Sequence, residues 1–106
     1  MRYDCGGETG GEVVTTIQTI IEHAARIFEV HPDAITSPGH KRPARDARQA
    51  VCYVAVRQGH RPKEISAVIN RSKNVALESE WRARELMEVD AGFLRNVSAL
   101  WSACVK

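Results

Sequence analysis

Apolar residues at helical spacing, interrupted by proline and glycine, recur along this chain of 106 residues. An apolar residue at every third or fourth position is typical of one face of an α-helix. The runs are broken at His31-Pro32-Asp33, at Ser37-Pro38-Gly39, at Gly59 and at Pro62, because proline and glycine disfavour continuation of a helix. The pattern therefore predicts an all-α protein, a compact bundle of about five or six helices.

Residues 1–13 are predicted to form a flexible N-terminal tail, because they hold four glycines and no apolar period. They are not predicted to form a phosphate-binding loop, since the sequence lacks the Gly-Lys-Ser/Thr ending and no strand is predicted before them. A chain of this length suits one core better than two. Residues 14–106 are therefore predicted to form a single helical domain.

The first helix is predicted from capping and periodicity. Thr15 and Gln18 have the spacing of a capping box, and the helix should end near Glu29, ahead of Pro32. A short helical turn is expected at 33–36, with Ile35 facing inward. The apolar face of the first helix contains Ile17, Ile20, Ile21, Ala24 and Phe28.

Further helices are predicted at 44–58, 62–69 and 73–88, and from Asp90 onward. Gly59 stands where a left-handed C-terminal cap belongs, and Ser72 can cap the helix that follows it. Because only a short turn separates 62–69 from 73–88, these two helices are a helix-turn-helix candidate. In 73–88 we expect Leu77 and Trp81 to face the core, although this places Arg84 near the inward side.

Positive charge is concentrated in residues 40–73. This third of the chain has nine Lys and Arg against two acidic residues, a local net charge of +7, whereas the remaining six cations and eleven acids give −5. A basic stripe on a helical pair is the electrostatic footprint of a protein that binds duplex DNA. The plain alternative is a solvated, charged helical surface.

The sequence gives little support for disulfides, metal sites, catalytic sites or membrane spans. The three cysteines and four histidines are scattered without metal-ligand spacing, so neither a disulfide framework nor a metal site is expected. Cys52 is predicted to be a small core residue, and Trp81 and Trp101 to be packing anchors. We expect no cofactor and no enzymatic activity. No apolar run is long enough to span a bilayer, so no membrane partner and a cytoplasmic location are expected.

Three segments together resemble a known family. They are I-I-E-H-A-A-R-I-F-E-V-H-P-D-A-I-T-S at 20–37, K-R-P-A-R-D-A-R-Q-A-V-C-Y-V-A-V-R at 41–57 and P-K-E-I-S-A-V-I-N-R-S-K-N-V-A-L at 62–77. They resemble the C-terminal DNA-binding domain (domain IV) of the bacterial replication initiator DnaA, which is all-α and similar to Trp repressor. The resemblance covers about residues 16–86 and implies binding to short duplex sites.

The resemblance also implies roles for individual residues. The family's Arg-Gln pair contacts the DNA backbone and corresponds to Arg48 and Gln49, and its basic loop enters the minor groove and corresponds to His40, Lys41 and Arg42. The family's recognition helix opens with Gly-Gly-Arg-Asp-His-Thr-Thr-Val, whereas this chain has N-R-S-K-N-V-A-L at 70–77. The family's target sequence therefore does not transfer to this chain.

The residues that this chain has in place of the family motif can still contact bases and phosphates. Asn74 has the amide for a bidentate contact to adenine, and Ala76 can meet a thymine methyl. Arg71 or Lys73 can reach guanine or phosphate, and the helix N-terminus with Ser72 offers hydrogen bonds to a phosphate. The plain alternative for Asn74 is a capping or surface residue.

Three cations outside the recognition helix are candidate phosphate contacts. Arg45 and Arg48 stand three positions apart on one helix, so their side chains share a face. Lys63 lies in the first turn of its helix, where the helix dipole disfavours a cation, which suggests that an anion binds there.

These residues predict a duplex DNA-binding protein, a regulator or accessory factor in replication or transcription that is associated with the bacterial nucleoid. A replication or transcription protein is a further expected partner. The alternative is a protein-interaction module that keeps the fold and has lost base-specific reading. Acidic residues after the turn favour this alternative, because they would repel phosphates. They are Glu78, Glu80, Glu85 and Glu88.

Overall fold

The computed structural model describes residues 16–36, 43–69 and 73–104. For Lys73 only the backbone is described. The described residues form an all-α bundle, as the sequence predicts. Its six helices are α1 (Ile17–Phe28), α2 (Pro32–Thr36), α3 (Ala44–Arg57), α4 (Pro62–Ile69), α5 (Lys73–Val89) and α6 (Ala91–Cys104). The predicted tail at 1–13 and the predicted cap Ser72 lie outside the described residues.

Local chemistry sets the helix ends. Thr16, rather than the predicted Thr15, caps α1, and its hydroxyl accepts a hydrogen bond from the Thr19 N–H at 3.2 Å. Glu29 ends α1 in the left-handed region at φ 59°, and Gly59 follows α3 at φ 96°. The Asp90 carboxylate accepts from the Phe93 N–H at 3.1 Å and so begins α6 directly after α5. The predicted ends near Glu29 and Gly59 are confirmed.

Helix α3 lies at the centre of the bundle and packs against each of the other five helices. Several of its buried side chains are small, with Ala47, Ala50 and Ala55 among them, so neighbouring helices approach it closely there. The predicted apolar face of α1 is confirmed, because all of its residues are buried: Ile17, Ile20, Ile21, Ala24 and Phe28. The Phe28 and Phe93 rings, 6.1 Å apart between centroids, join α1 to α6.

The orientation of α5 differs from the prediction. Leu77 is 44% exposed and Trp81 is 53% exposed, while Ala76 and Ala83 are fully buried. The expectation that Leu77 and Trp81 face the core is therefore wrong. The small residues face inward because α5 lies close against the other helices, and Arg84 is accordingly exposed. Trp101 is also partly exposed, at 38%, so neither tryptophan is an enclosed packing anchor.

Candidate nucleic-acid interface

Helices α3, α4 and α5 pack against one another and hold the candidate interface. Ile65 and Ile69 of α4 and Ala76 of α5 are fully buried, which fixes the two helices on either side of residues 70–72. This core leaves the N-terminal residues of each helix at the surface. Arg45 of α3, Lys63 of α4 and Asn74 of α5 are all exposed there.

The start of α4 has two exposed cations and a carboxylate that accepts a hydrogen bond from the backbone of its own helix. The Glu64 carboxylate accepts a hydrogen bond from the Arg61 N–H at 3.1 Å, which is one half of a capping box. The same oxygen lies 4.0 Å from His60 Nδ1. Glu64 is therefore turned toward the start of its own helix, while the side chains of Arg61 and Lys63 are exposed.

The start of α3 presents Arg45 and Gln49. These residues are four positions apart, so they share one face of the helix, with Arg45 exposed and Gln49 partly buried. Asp46, the acidic residue between them, is 7% exposed. The accessible charge at this end of α3 is therefore positive.

Arg48 does not belong to this surface. It is 5% exposed, and its Nε donates to the Ile35 carbonyl at 2.7 Å while Nη2 donates to the Ala34 carbonyl at 3.3 Å. These carbonyls lie at the C-terminal end of α2, where a helix has unsatisfied acceptors and a partial negative charge. The prediction that Arg48 contacts a phosphate is therefore wrong, because its guanidinium binds α2.

Ala76 is a second correction. Its side chain is fully buried, so it cannot meet a thymine methyl. The alignment with the family motif placed Ala76 in the recognition helix, where its methyl was expected to meet a base, but this methyl group fills the core instead. Asn74, two residues earlier, is exposed at the front of the helix, as a base-contacting residue must be.

Four of the predicted site residues lie outside the described residues: Lys41, Arg42, Arg71 and Ser72. His40 does so as well. For Lys73 the backbone is described as the first residue of α5 and the side chain is not. Their assignments remain predictions from the sequence.

Ion pairs partly neutralise the negative charge of α5. Glu78 lies 3.9 Å from Arg82, and Glu80 lies 3.9 Å from Arg84, each pair being one helical turn apart. The side chain of Glu80 is only 13% exposed. Glu85 and Glu88 are exposed, but they lie at least ~16 Å along the helix axis from Asn74. The acidic residues therefore weigh less against phosphate binding than the sequence suggests.

Sequence reasoning assigned no role to Arg61 or Arg57. Arg61 is exposed beside Lys63 and adds to the positive charge at the start of α4. Its position directly before Pro62, at the start of the helix, is a signal that could have identified it. The Arg57 guanidinium lies 5.1 Å from the centre of the Tyr53 ring, and no sequence pattern indicated this contact.

Reactive groups and metal sites are not evident in the described part of the chain. Cys52 is buried, as predicted, and burial raises the pKa of its thiol to about 12, although a hydrogen bond with Ser79 partly opposes the shift. Residues 16–36, 43–69 and 73–104 contain no group of three or more histidine, cysteine or acidic side chains placed to hold a metal ion. None of the helices described here has the length and apolar character needed to cross a membrane.

The chain matches no protein-family model, and a search of curated proteins gives no match either.

Proposed function

We propose that this protein binds duplex DNA with the start of α3 and with α4 and α5 acting as a helix-turn-helix, as in the DnaA domain that its sequence resembles. The observation that carries the proposal is the accessible charge of this surface. Arg45, Arg61 and Lys63 are exposed, whereas the nearby Asp46 is buried. Glu64 is 60% exposed and is turned toward the start of α4, where it accepts from the Arg61 N–H, so the exposed cations outnumber the exposed acids three to one. Phosphates supply most of the attraction between such a surface and DNA.

Each side chain has a role in this proposal. Arg45 and Lys63 bind phosphates, and Gln49, one turn from Arg45, donates its amide to the same strand. Asn74 at the front of α5 reads a base edge, with adenine as the expected partner of its amide. Lys41 and Arg42 enter the minor groove, and Arg71, Ser72 and Lys73 contact phosphate or guanine. Arg48 positions α2 on α3 and touches no DNA.

The resulting protein is a regulator or accessory factor in replication or transcription. It acts by occupying sites on the duplex and not by chemistry. Nothing in this role needs a cofactor, since the binding energy comes from counterion release and direct contacts.

A second candidate function is a protein-interaction module that has lost base reading. The observation in its favour is that Leu77 and Trp81 follow Asn74 at helical spacing and are exposed on the same face of α5. An apolar side chain of that size is more common in protein interfaces than in phosphate contacts. This candidate predicts that the protein selects no preferred duplex sequence, because charge alone binds phosphates without distinguishing bases.

The test is selection of bound sequences from a random duplex library with wild type, with Asn74→Ala and with Asn96→Ala as a matched control on α6. Asn74→Ala should lose preference at one base pair, at a cost of about 1 to 3 kcal/mol there. Asn96→Ala should select the wild-type motif. Identical motifs for all three proteins would exclude Asn74 as a base-reading residue, and failure of the wild type to select any duplex would refute the proposed function.

A further inference from the structure

A groove of about 350 Å³ lies between the C-terminal half of α3, the end of α5 and the exposed side of α6. Its lining is Tyr53 and Arg57 from α3, Met87 from α5, and Leu94, Val97 and Trp101 from α6. The volume is large enough for a few side chains of a bound molecule. The proposed DNA surface uses other residues of α3 and α5.

The walls of the groove are apolar and partly open to solvent. Leu94 is 45% exposed and Trp101 is 38% exposed, and Met87 is partly buried between them and the core. Large apolar side chains that stay exposed next to one another are typical of interaction sites. Methionine adapts its shape to a ligand, and tryptophan contributes a large contact area.

The groove is positively charged. Arg57 lines it, and no acidic residue of the described chain does. The guanidinium stacks over the Tyr53 ring with its centre 5.1 Å away, which holds it at the edge of the apolar wall. The uncharged polar groups of the lining are the hydroxyls of Tyr53, Ser98 and Ser102 and the indole N–H of Trp101. A ligand that complements this lining has apolar side chains and a carboxylate.

We propose that this groove binds a short acidic, amphipathic segment of a partner protein, whose apolar side chains contact Trp101 and Leu94 and whose Asp or Glu pairs with Arg57. Arginine binds a carboxylate through two parallel hydrogen bonds, which fixes the orientation of the segment. Tyrosine, tryptophan and arginine are also the residue types that contribute most to binding at protein interfaces. The charge of the groove thus selects an acidic segment over a basic one.

The groove can be occupied while DNA is bound. Arg57 lies ~18 Å along the axis of α3 from Arg45, and Met87 lies ~20 Å along α5 from Asn74. The inference does not depend on DNA binding, since the groove and its charge are independent of the residues proposed to touch phosphates. A protein with both surfaces would bring a partner to the site on the duplex.

The first test is selection from a display library of short random peptides on the wild-type protein, with counter-selection on Leu94→Asp. Leu94→Asp should keep the fold, because nearly half of the side chain is already exposed, and Trp101→Ala provides a second groove variant if it does not. We expect enriched peptides with two apolar residues one helical turn apart and an Asp or Glu at a fixed distance from them. No enrichment, or enriched peptides without an acidic residue, would overturn the proposal.

The second test measures the affinity of one selected peptide through the fluorescence of Trp101. Trp81→Phe leaves Trp101 as the single tryptophan, since the chain has two. Arg57→Gln in this background should weaken binding about tenfold, as expected for loss of a charge-assisted hydrogen bond, whereas the exposed control Arg82→Gln should leave it unchanged. If the two variants lose affinity for the peptide equally, or if neither loses affinity, the role of Arg57 is contradicted.

Sedimentation of the peptide-free protein shows whether the groove binds a second copy of this chain instead of a partner. If wild type self-associates and Leu94→Asp is monomeric, the groove binds a second copy and the partner proposal is wrong. If both are monomeric and the peptide binds, the proposal stands. Duplex binding by Leu94→Asp, measured in parallel, distinguishes failure of this inference from failure of the DNA proposal, because Leu94 has no part in the DNA surface.

Discussion

Helices α3 and α5 form the most extensive helix–helix contact among the described residues, yet they divide their residues between core and surface very differently. Helix α3 buries eight of its fourteen residues, including the charged Asp46 and Arg48. Helix α5 has seventeen residues, and its buried side chains among those described are Ala76, Ser79 and Ala83. Its large apolar residues Leu77 and Trp81 stay in contact with solvent.

This difference assigns the two helices different tasks. Helix α3 is the scaffold, because each of the other described helices packs on it. Helix α5 rests on the bundle through small buried residues, with Leu86 and Met87 partly buried near its C-terminal end. Most of its other side chains are exposed. A helix that contributes few buried residues is free to carry residues selected for binding, and this is the arrangement that our functional proposal uses.

The largest effect is expected at Arg48, one of the two buried charged residues of α3. Arg48→Ala removes two hydrogen bonds to the carbonyls of Ala34 and Ile35 and leaves these acceptors without the guanidinium. We expect the free energy of unfolding to fall by about 2 to 4 kcal/mol, as measured by chemical denaturation. The exposed Arg45 provides the control, and Arg45→Ala should change the stability by less than about 0.5 kcal/mol. Equal effects at the two positions would remove the distinction between scaffold and surface within α3.

Next in size is a contrast within α5. Ala83→Leu adds volume to a fully buried position, which should lower the free energy of unfolding by about 1 to 3 kcal/mol through overpacking. Trp81→Ala removes a far larger side chain, but one that is 53% exposed, and should cost below about 1 kcal/mol. Thermal or denaturant unfolding of both variants measures the difference. A larger loss for Trp81→Ala would show that the exposed face of α5 is part of the core.

The smallest effect concerns Cys52, which joins the two helices through its hydrogen bond with Ser79. Burial raises the pKa of the thiol from 9.0 to about 12. The unfolded chain therefore loses this proton first as pH rises, and stability should decrease between the two pKa values. From about pH 8 to about pH 10, wild type should lose about 1 kcal/mol more than Cys52→Ala. Cys104 is present in both proteins, so its own raised pKa cancels. An equal loss in the two proteins would mean that Cys52 ionises as easily in the folded chain as in the unfolded one.

The fold was largely predictable because the signals that end its helices are local. Pro62 begins a helix at its first turn, and Gly59 accepts a positive φ that other residues resist, so each position can be identified without knowing what surrounds it. The orientation of α5 was not predictable in this way. Leu77 and Trp81 suggested one buried face, but the buried positions of α5 are the small Ala76, Ser79 and Ala83. Leu86 and Met87 pack partly against the core near the end of the helix.

The candidate site was predictable in part for a related reason. Charge and position in the sequence identified Arg45, Lys63 and Asn74, which are exposed where the prediction needs them. The same reasoning placed Arg48 on the surface, because a pattern of charges does not show which arginine faces a helix end such as that of α2. Ala76 was misassigned because a family alignment preserves the position of a residue in a motif and not its exposure.

The salt dependence of duplex binding measures whether the exposed cations of α3 and α4 replace counterions on DNA, as the proposed DNA surface requires. For wild type we predict a slope of log affinity against log salt on the order of −3 to −6. In the double variant Arg45→Ala/Lys63→Ala the slope should be less negative by about 2, one for each lost phosphate contact. The exposed control Arg82→Ala should keep the wild-type slope. Absence of duplex binding by wild type at low salt, or an unchanged slope in the double variant, would contradict the account.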